Sequence, residues 1–370
     1  MTGKTIILFF ALLHVVSVQA EVITNVHTIS RRDGLSNGAV NSIVKDAEGY
    51  LWLATWNGLN RFDGNNIVTY LPGNSSRSIH NHVIREMHPD ASGSIWMLTN
   101  KGVGLYDNVG DRFFSFFTNE SDQINYENDI ILCHSGAMGT FVAVYGSGIF
   151  RFDTAAHQFN EIGFSGKSVS ASRSIKRMHI INSNIYCISD SGTVFKKSGD
   201  QLVEILRFSL SGTITSSMTY EDGKKAYIFL TQRNEVAMMI DLQEKKVNYL
   251  HLKNDVITAF SRSNTTKSVW VGTGKGNILR LNTDNLKLEP LRVVSGVLKG
   301  SSVGTRILSL YESEVDILWI GTDGNGAYNL KLTEFPNQRL PSEKLSYPIV
   351  RSILVTRNKD LLVGTKGGGI

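Results

Sequence analysis

Glycines flanking a lysine can cradle a phosphate, and Gly272-Thr273-Gly274-Lys275-Gly276 has that composition. It lacks the spacing of a nucleotide-binding P-loop and no helical pattern follows it. The same place in the chain reads Gly-Thr-Asp-Gly-Asn-Gly from Gly321 and Gly-Thr-Lys-Gly-Gly-Gly from Gly364. A segment written three times is a recurrent hairpin, so no nucleotide chemistry is assigned to it. His80, His82 and His88 form the densest histidine group, but no cysteine lies near and the four-ligand pattern of structural zinc is missing. They read as exposed or loop histidines, and neither a metal nor a cofactor is expected. Cys133 and Cys187 both sit in apolar, strand-like runs. An inter-repeat disulfide is one reading and a pair of buried free thiols is the favoured one. The 33 acidic residues contain no carboxylate pair set apart by its surroundings, so glycosidase chemistry has no positive support.

The elements that would carry any site come from a repeat. Val40 to Asp63 runs as an apolar strand, an Asp46-x-x-Gly49 turn, Trp52-x-x-Thr55, Gly58 and a closing Phe62-Asp63. Val83 to Asp107 repeats it with Asp90, Gly93, Trp96, Thr99, Gly102 and Tyr106. The Trp-x-x-Thr element then decays through Phe141 to Val144, Tyr186 to Ser189 and Ile228 to Thr231. It returns at Trp270 to Thr273, Trp319 to Thr322 and Leu362 to Thr365. Successive fourth positions are 44, 45, 45, 42, 42, 49 and 43 residues apart. A period of about 40–45 residues is that of a four-stranded propeller blade. Runs such as Leu51-Trp52-Leu53-Ala54 are apolar on both faces, as a sheet sandwiched between neighbouring sheets requires. Helical periodicity is not sustained after Ala20.

The expected fold is therefore all-β: a seven-bladed β-propeller of four-stranded antiparallel blades, plus the start of a second propeller. Repeat units fall near 36–75, 76–125, 126–165, 166–207, 208–250, 251–300 and 301–345 within residues 21–345, and residues 346–370 open an eighth. Trp52, Trp96, Trp270 and Trp319 are expected to pack between blades. The strand-like stretch of Glu21 to Ser30, or the segment around Phe335, would supply the last outer strand. Residues 1–20 carry one charge, Lys4, then an apolar run from Ile6 to Val18 and Val18-Gln19-Ala20. This is the pattern of an export signal, with an uncleaved membrane anchor as the alternative. A net charge of +5 over 370 residues, without a basic block, gives no support to nucleic-acid binding.

The stretches from Leu35 to Gly64 and from Val269 to Leu281 resemble the two-component regulator propeller repeat, which fills the periplasmic sensor region of hybrid two-component systems in Bacteroidetes. The resemblance implies a periplasmic ligand-sensing propeller that recognises oligosaccharides and signals to genes for glycan use. It also implies a second propeller, membrane-linked kinase domains and a homodimeric receptor beyond this chain, with no catalysis by the chain itself. The eighth unit stops in mid-blade, which is expected of a fragment of such a receptor. The alternative is a secreted stand-alone propeller, acting as a polysaccharide lyase or hydrolase or as a protein-interaction module. The signature of cytoplasmic WD repeats is missing.

In a propeller, the loop into each first strand and the loop between strands two and three share one end. Trp56, Asn57, Asn100, Lys101, Tyr145, Asp190, Gln232, Arg233, Lys275 and Asp323 would stand there on the second kind of loop. Arg31, Arg32, Asn37, Asn81, His82, Arg173 and Arg306 would stand on the first. Aromatic faces among Asn, Asp and Arg suit a sugar, and Arg also suits an acidic one. The candidate ligand residues are Trp56, Asn57, Lys101, Tyr145, Asp190, Arg233, Lys275, Arg306 and Asp323, with Trp56 foremost because packing does not demand an indole there.

Overall fold

The computed structural model describes residues 22–23, 26–118, 129–223, 225–233, 236–264, 266, 268–291, 293–294, 302–313, 317–332, 347, 349–355 and 361–367. The export signal read at residues 1–20 and the segment around Phe335 lie outside them. Residues Thr24–Leu332 form one compact unit, a seven-bladed β-propeller with seven four-stranded antiparallel sheets. The described helices are a 3-10 turn at Arg31–Asp33 and one short α-helix at Ser168–Ser172. No helix among the described residues is long and apolar enough to cross a membrane.

Six blades are meanders in which strand order follows the chain, and the seventh takes its outer strand from the N-terminal segment. The second strands are Leu51–Thr55, Ile95–Thr99, Gly139–Val144, Asn184–Ser189, Ala226–Gln232, Ser268–Thr273 and Ile317–Thr322. They hold the seven Trp-x-x-Thr elements, so the decayed units three to five are true blades. Local chemistry makes the hairpins. The Asp46 carboxylate accepts from the Glu48 and Tyr50 backbone N–H groups at 3.0 and 2.9 Å, and Gly49 takes φ +98° to complete the turn. The threonine of the motif closes the next hairpin. Thr55 Oγ1 donates to the Gly58 carbonyl at 2.8 Å, and Thr99 and Thr322 repeat the bond to Gly102 and Gly326.

Seven apolar clusters fill the seven seams between adjacent blades. Trp52 is fully buried between blades 1 and 2, beside Tyr70 and Tyr106, with its indole N–H donating to Asp46 at 2.7 Å. Trp96 meets Phe152 of blade 3 edge-on at 4.8 Å, and Trp319 meets Phe62 across the seam between blades 7 and 1 at 6.3 Å. Trp270 crosses from blade 6 to give its N–H to Glu312 of blade 7 at 2.6 Å. Cys133 and Cys187 are free thiols in the seam between blades 3 and 4, where burial pushes the Cys133 thiol up to about 12 and Cys187 up as well.

Ring closure, open between two segments in the sequence, goes to the N-terminal one. Val26–Ile29 is the outer strand of blade 7, pairing Val26 with Leu330 and Ile29 with Ala327. The seam between blades 7 and 1 is also tied by Ser309 Oγ, which donates to the Val40 carbonyl at 2.9 Å. Gly321 is required there: a Cβ would stand 2.5 Å from that carbonyl and closer still to Ser309 Oγ. Separately, Val350–Val355 and Leu361–Thr365 form an antiparallel hairpin with the same register as the first two strands of a blade.

Candidate functional site

The seven first strands neighbour one another around the ring and wall an axial channel. Those of blades 1, 2 and 4 read as buried apolar residue, two residues, apolar residue: Val40-Asn41-Ser42-Ile43, Ile84-Arg85-Glu86-Met87 and Ile175-Lys176-Arg177-Met178. In six blades the register slips inside this stretch, as between Val40 and Ser42, Ile84 and Glu86, and Ile175 and Arg177. A bulge adds an unpaired residue and re-aims its side chain. In blades 1 and 2 it turns the intervening pair toward the axis while the flanking apolar residues stay in the seams. Blade 3 has Ile131-Leu132 at this place, keeps an unbroken register, and gives no wall to the main cavity.

That cavity, of about 410 Å³, is lined by Asn41, Arg85, Glu86, His88, Arg177 and Thr258, among others, and by rim residues Trp56, Arg233 and Arg306. A second cavity of about 350 Å³ shares Glu86, His88 and Arg177 with it and continues to His134, His179 and Arg262. A third, of about 500 Å³, lies beside the mouth between blades 4 and 5, with Asp129, Lys176, Arg177 and Asp190 in its wall. Burial lowers the pKa of His88, His134 and His179, the last to about 3. Burial thus favours the neutral imidazole at each.

The two sets of rim loops do stand together, joined by backbone bonds from blade 1 to 2 and from blade 3 to 4, and within blades 5 and 7. Gly58 N–H donates to His82 O, Gly146 to Arg173 O, Arg233 to Thr213 O and Asp323 to Arg306 O. Of the nine candidate ligand residues, Trp56, Arg233 and Arg306 line the main cavity and Asp190 lines the third. Trp56 is half exposed. Asn57, Lys101, Tyr145, Lys275 and Asp323 line none of the three. Asn57 pairs with the His82 ring at 3.1 Å, and the Lys275 N–H donates to the Asp255 carboxylate at 3.0 Å. Tyr145 and Asp190 meet across the seam between blades 3 and 4, O–H to carboxylate at 2.7 Å, which raises the Tyr145 pKa. The Lys176 ammonium stands 3.5 Å over the Tyr145 ring and 2.8 Å from Asp129.

The three clustered histidines do not come together. His82 is the exposed loop residue expected, and His80 is in the same loop, half-buried against Thr99 Oγ1 at 2.9 Å, where burial lowers it to about 4. His88 is on a channel strand. His80 and His82 lie in the loop before the strand Ile84–Pro89 and only His88 is on it, so nearness in the sequence is not convergence. Among the described residues no three His, Cys, Asp or Glu side chains are grouped to hold a metal. The sequence reading missed Arg85, Lys176 and Arg177. Their signal was present as a charged pair between two apolar residues of one strand, a pair that neither seam could accept.

Comparison with known proteins bears on the repeat and the fold. Residues 34–57 match the two-component regulator propeller. No curated protein matches the chain. Among solved structures it is similar to one named as the extracellular domain of a hybrid two-component system of B. thetaiotaomicron. That likeness has a TM-score of 0.64 at 22% identity, over 93% of this chain and 47% of that one. It is similar also to the extracellular domain of a second such B. thetaiotaomicron system, with a TM-score of 0.62 at 15% identity, over 91% of this chain and 46% of that one. At these identities the likeness speaks for the fold. This chain spans about half the length of both structures.

Proposed function

We propose that this chain is the ligand-sensing propeller of a hybrid two-component system, exported to the periplasm and recognising an oligosaccharide at the mouth of its axial channel. The observation that carries the reading is the two-component regulator propeller match at residues 34–57. A channel mouth built from six blades, with an indole beside guanidinium and carboxylate groups, supports ligand binding there. On this reading the chain performs no chemistry. A second propeller and membrane-linked kinase domains outside this chain, in a homodimeric receptor, carry the signal to genes for glycan use. Signalling requires that the ligand bind two receptor states with different affinities. Nucleic acid is not a partner of this chain.

The test is a thermal-shift screen of the purified chain against neutral and acidic oligosaccharides. A ligand at 100 times its dissociation constant adds about 2.7 kcal/mol of stability. A shift with a defined glycan, without its breakdown, supports the sensor. Release of reducing ends or unsaturated products would replace it with the enzyme reading, and no shift with any glycan would remove the oligosaccharide.

A further inference from the structure

We propose that the axial channel is an anion site, taking a carboxylate or sulfate carried on a small polar ligand. For the kind of molecule, an acidic oligosaccharide, the proposal rests on the sensor reading above. For the anionic group it rests on the channel itself. Arg85, Arg177, Arg233 and Arg306 line the main cavity against one carboxylate, Glu86. They come from blades 2, 4, 5 and 7, so the charges converge on the axis from several sides. A guanidinium stays protonated at any working pH, and the channel cannot relieve this excess by releasing protons.

The ion pairs among the described residues include none of Arg177, Arg233 and Arg306. Arg177 is the most committed of them. One terminal nitrogen donates to the Lys176 carbonyl at 2.9 Å and the other to the Ile214 carbonyl at 2.6 Å. Its buried Nε has no hydrogen-bond partner. Glu86 is the one carboxylate that acts on Arg177, and it is shared with the other guanidinium groups of the cavity, so an entering anion supplies charge that the wall lacks. Below it, His88, His134 and His179 each keep a buried Nε2 without a partner. Neutral imidazoles can donate there without adding charge. The mouth offers a contrast a few residues away. Lys176 is occupied by Asp129 and the Tyr145 ring. The charge excess thus belongs to the channel rather than to basic residues at this end in general.

Titration calorimetry of the full chain tests the site. The probes are trigalacturonate for carboxylate, a sulfated heparan disaccharide for sulfate, and maltotriose as the neutral control. At least one acidic probe is expected to bind tenfold or more tighter than maltotriose, with affinity falling as salt is added. Arg233→Gln and Arg306→Gln sit on exposed rim positions. Each is expected to weaken that binding about tenfold without lowering the melting temperature, the loss of one charge-assisted bond. Arg177→Gln should weaken it further. The two acidic probes separate carboxylate from sulfate. Equal binding of maltotriose overturns the anion site and leaves the sensor reading intact. Acidic binding indifferent to both rim substitutions also overturns it. Failure of all three probes overturns the anion site, while the sensor reading is judged by the wider screen.

Discussion

The seams between blades and the channel at their centre are built from the same strands and differ in the polar atoms they leave without partners. In the first strand of blade 1, Val40 and Ile43 are buried in the seams while Asn41 and Ser42 face the axis. Polar atoms that enter a seam arrive with partners: Trp52 with Asp46 and Trp270 with Glu312. On the axis, the buried ring nitrogens of His88, His134 and His179 and the Nε of Arg177 have none. An unpaired buried polar atom costs about 1–3 kcal/mol, so stability alone would not collect four of them in one place. The difference teaches where to look: the seams hold the ring together, and the channel is organised for something other than packing.

Four substitutions or conditions can break or sharpen this contrast. The largest effect is expected of Trp52→Ala, which empties a fully buried indole from a seam and should cost about 3–5 kcal/mol in a denaturant melt. A loss below about 1 kcal/mol would show that the seam is not the seat of stability there. Trp270→Phe keeps a buried aromatic ring but removes the pyrrole half of the indole, with the N–H given to the buried Glu312 carboxylate. It should cost about 1–3 kcal/mol, because that carboxylate loses a donor without gaining water.

The third is a pH effect. Burial lowers His80 to about 4 and His179 to about 3, from an ordinary value near 6.5. The unfolded chain therefore binds more protons than the folded one between these values. Stability is full above about pH 6.5 and falls with pH down to about 4 for His80 and 3 for His179. Urea midpoints at pH 7 and pH 5 should show the fall, and His179→Gln should reduce it. The smallest effect is expected of Tyr145→Phe at the rim. Its hydroxyl bond to Asp190 is exposed, so its loss should change stability by less than about 1 kcal/mol. A larger loss would make the rim, like the seams, a structural joint.

Much of the fold was legible because it is local. A blade is made by hairpins, and a hairpin is specified by neighbouring residues such as Asp46, Gly49, Thr55 and Gly58. Even the decayed units followed from spacing, since Phe141 and Tyr186 fill the place of the tryptophan. Much of the rim was also legible, because a loop between two strands must lie at one end of the sheet. The channel was harder to read. Glu86 and Arg177 were ordinary charged residues in the sequence, and only the bulge beside each turns them to the axis.

By itself, then, the sequence determined the number of blades, their strand pattern and the end at which the polar loops gather. Only the tertiary structure decided that Val26–Ile29 closes blade 7 and that Arg85, Arg177, Arg233 and Arg306 share one cavity. The physical reason is distance along the chain. Hairpin hydrogen bonds join residues a few positions apart, so local residue types suffice to choose them. Ring closure pairs Val26 with Leu330, and the channel joins side chains from blades separated by more than two hundred residues. Those meetings depend on how all seven seams pack, and no local pattern carries that information.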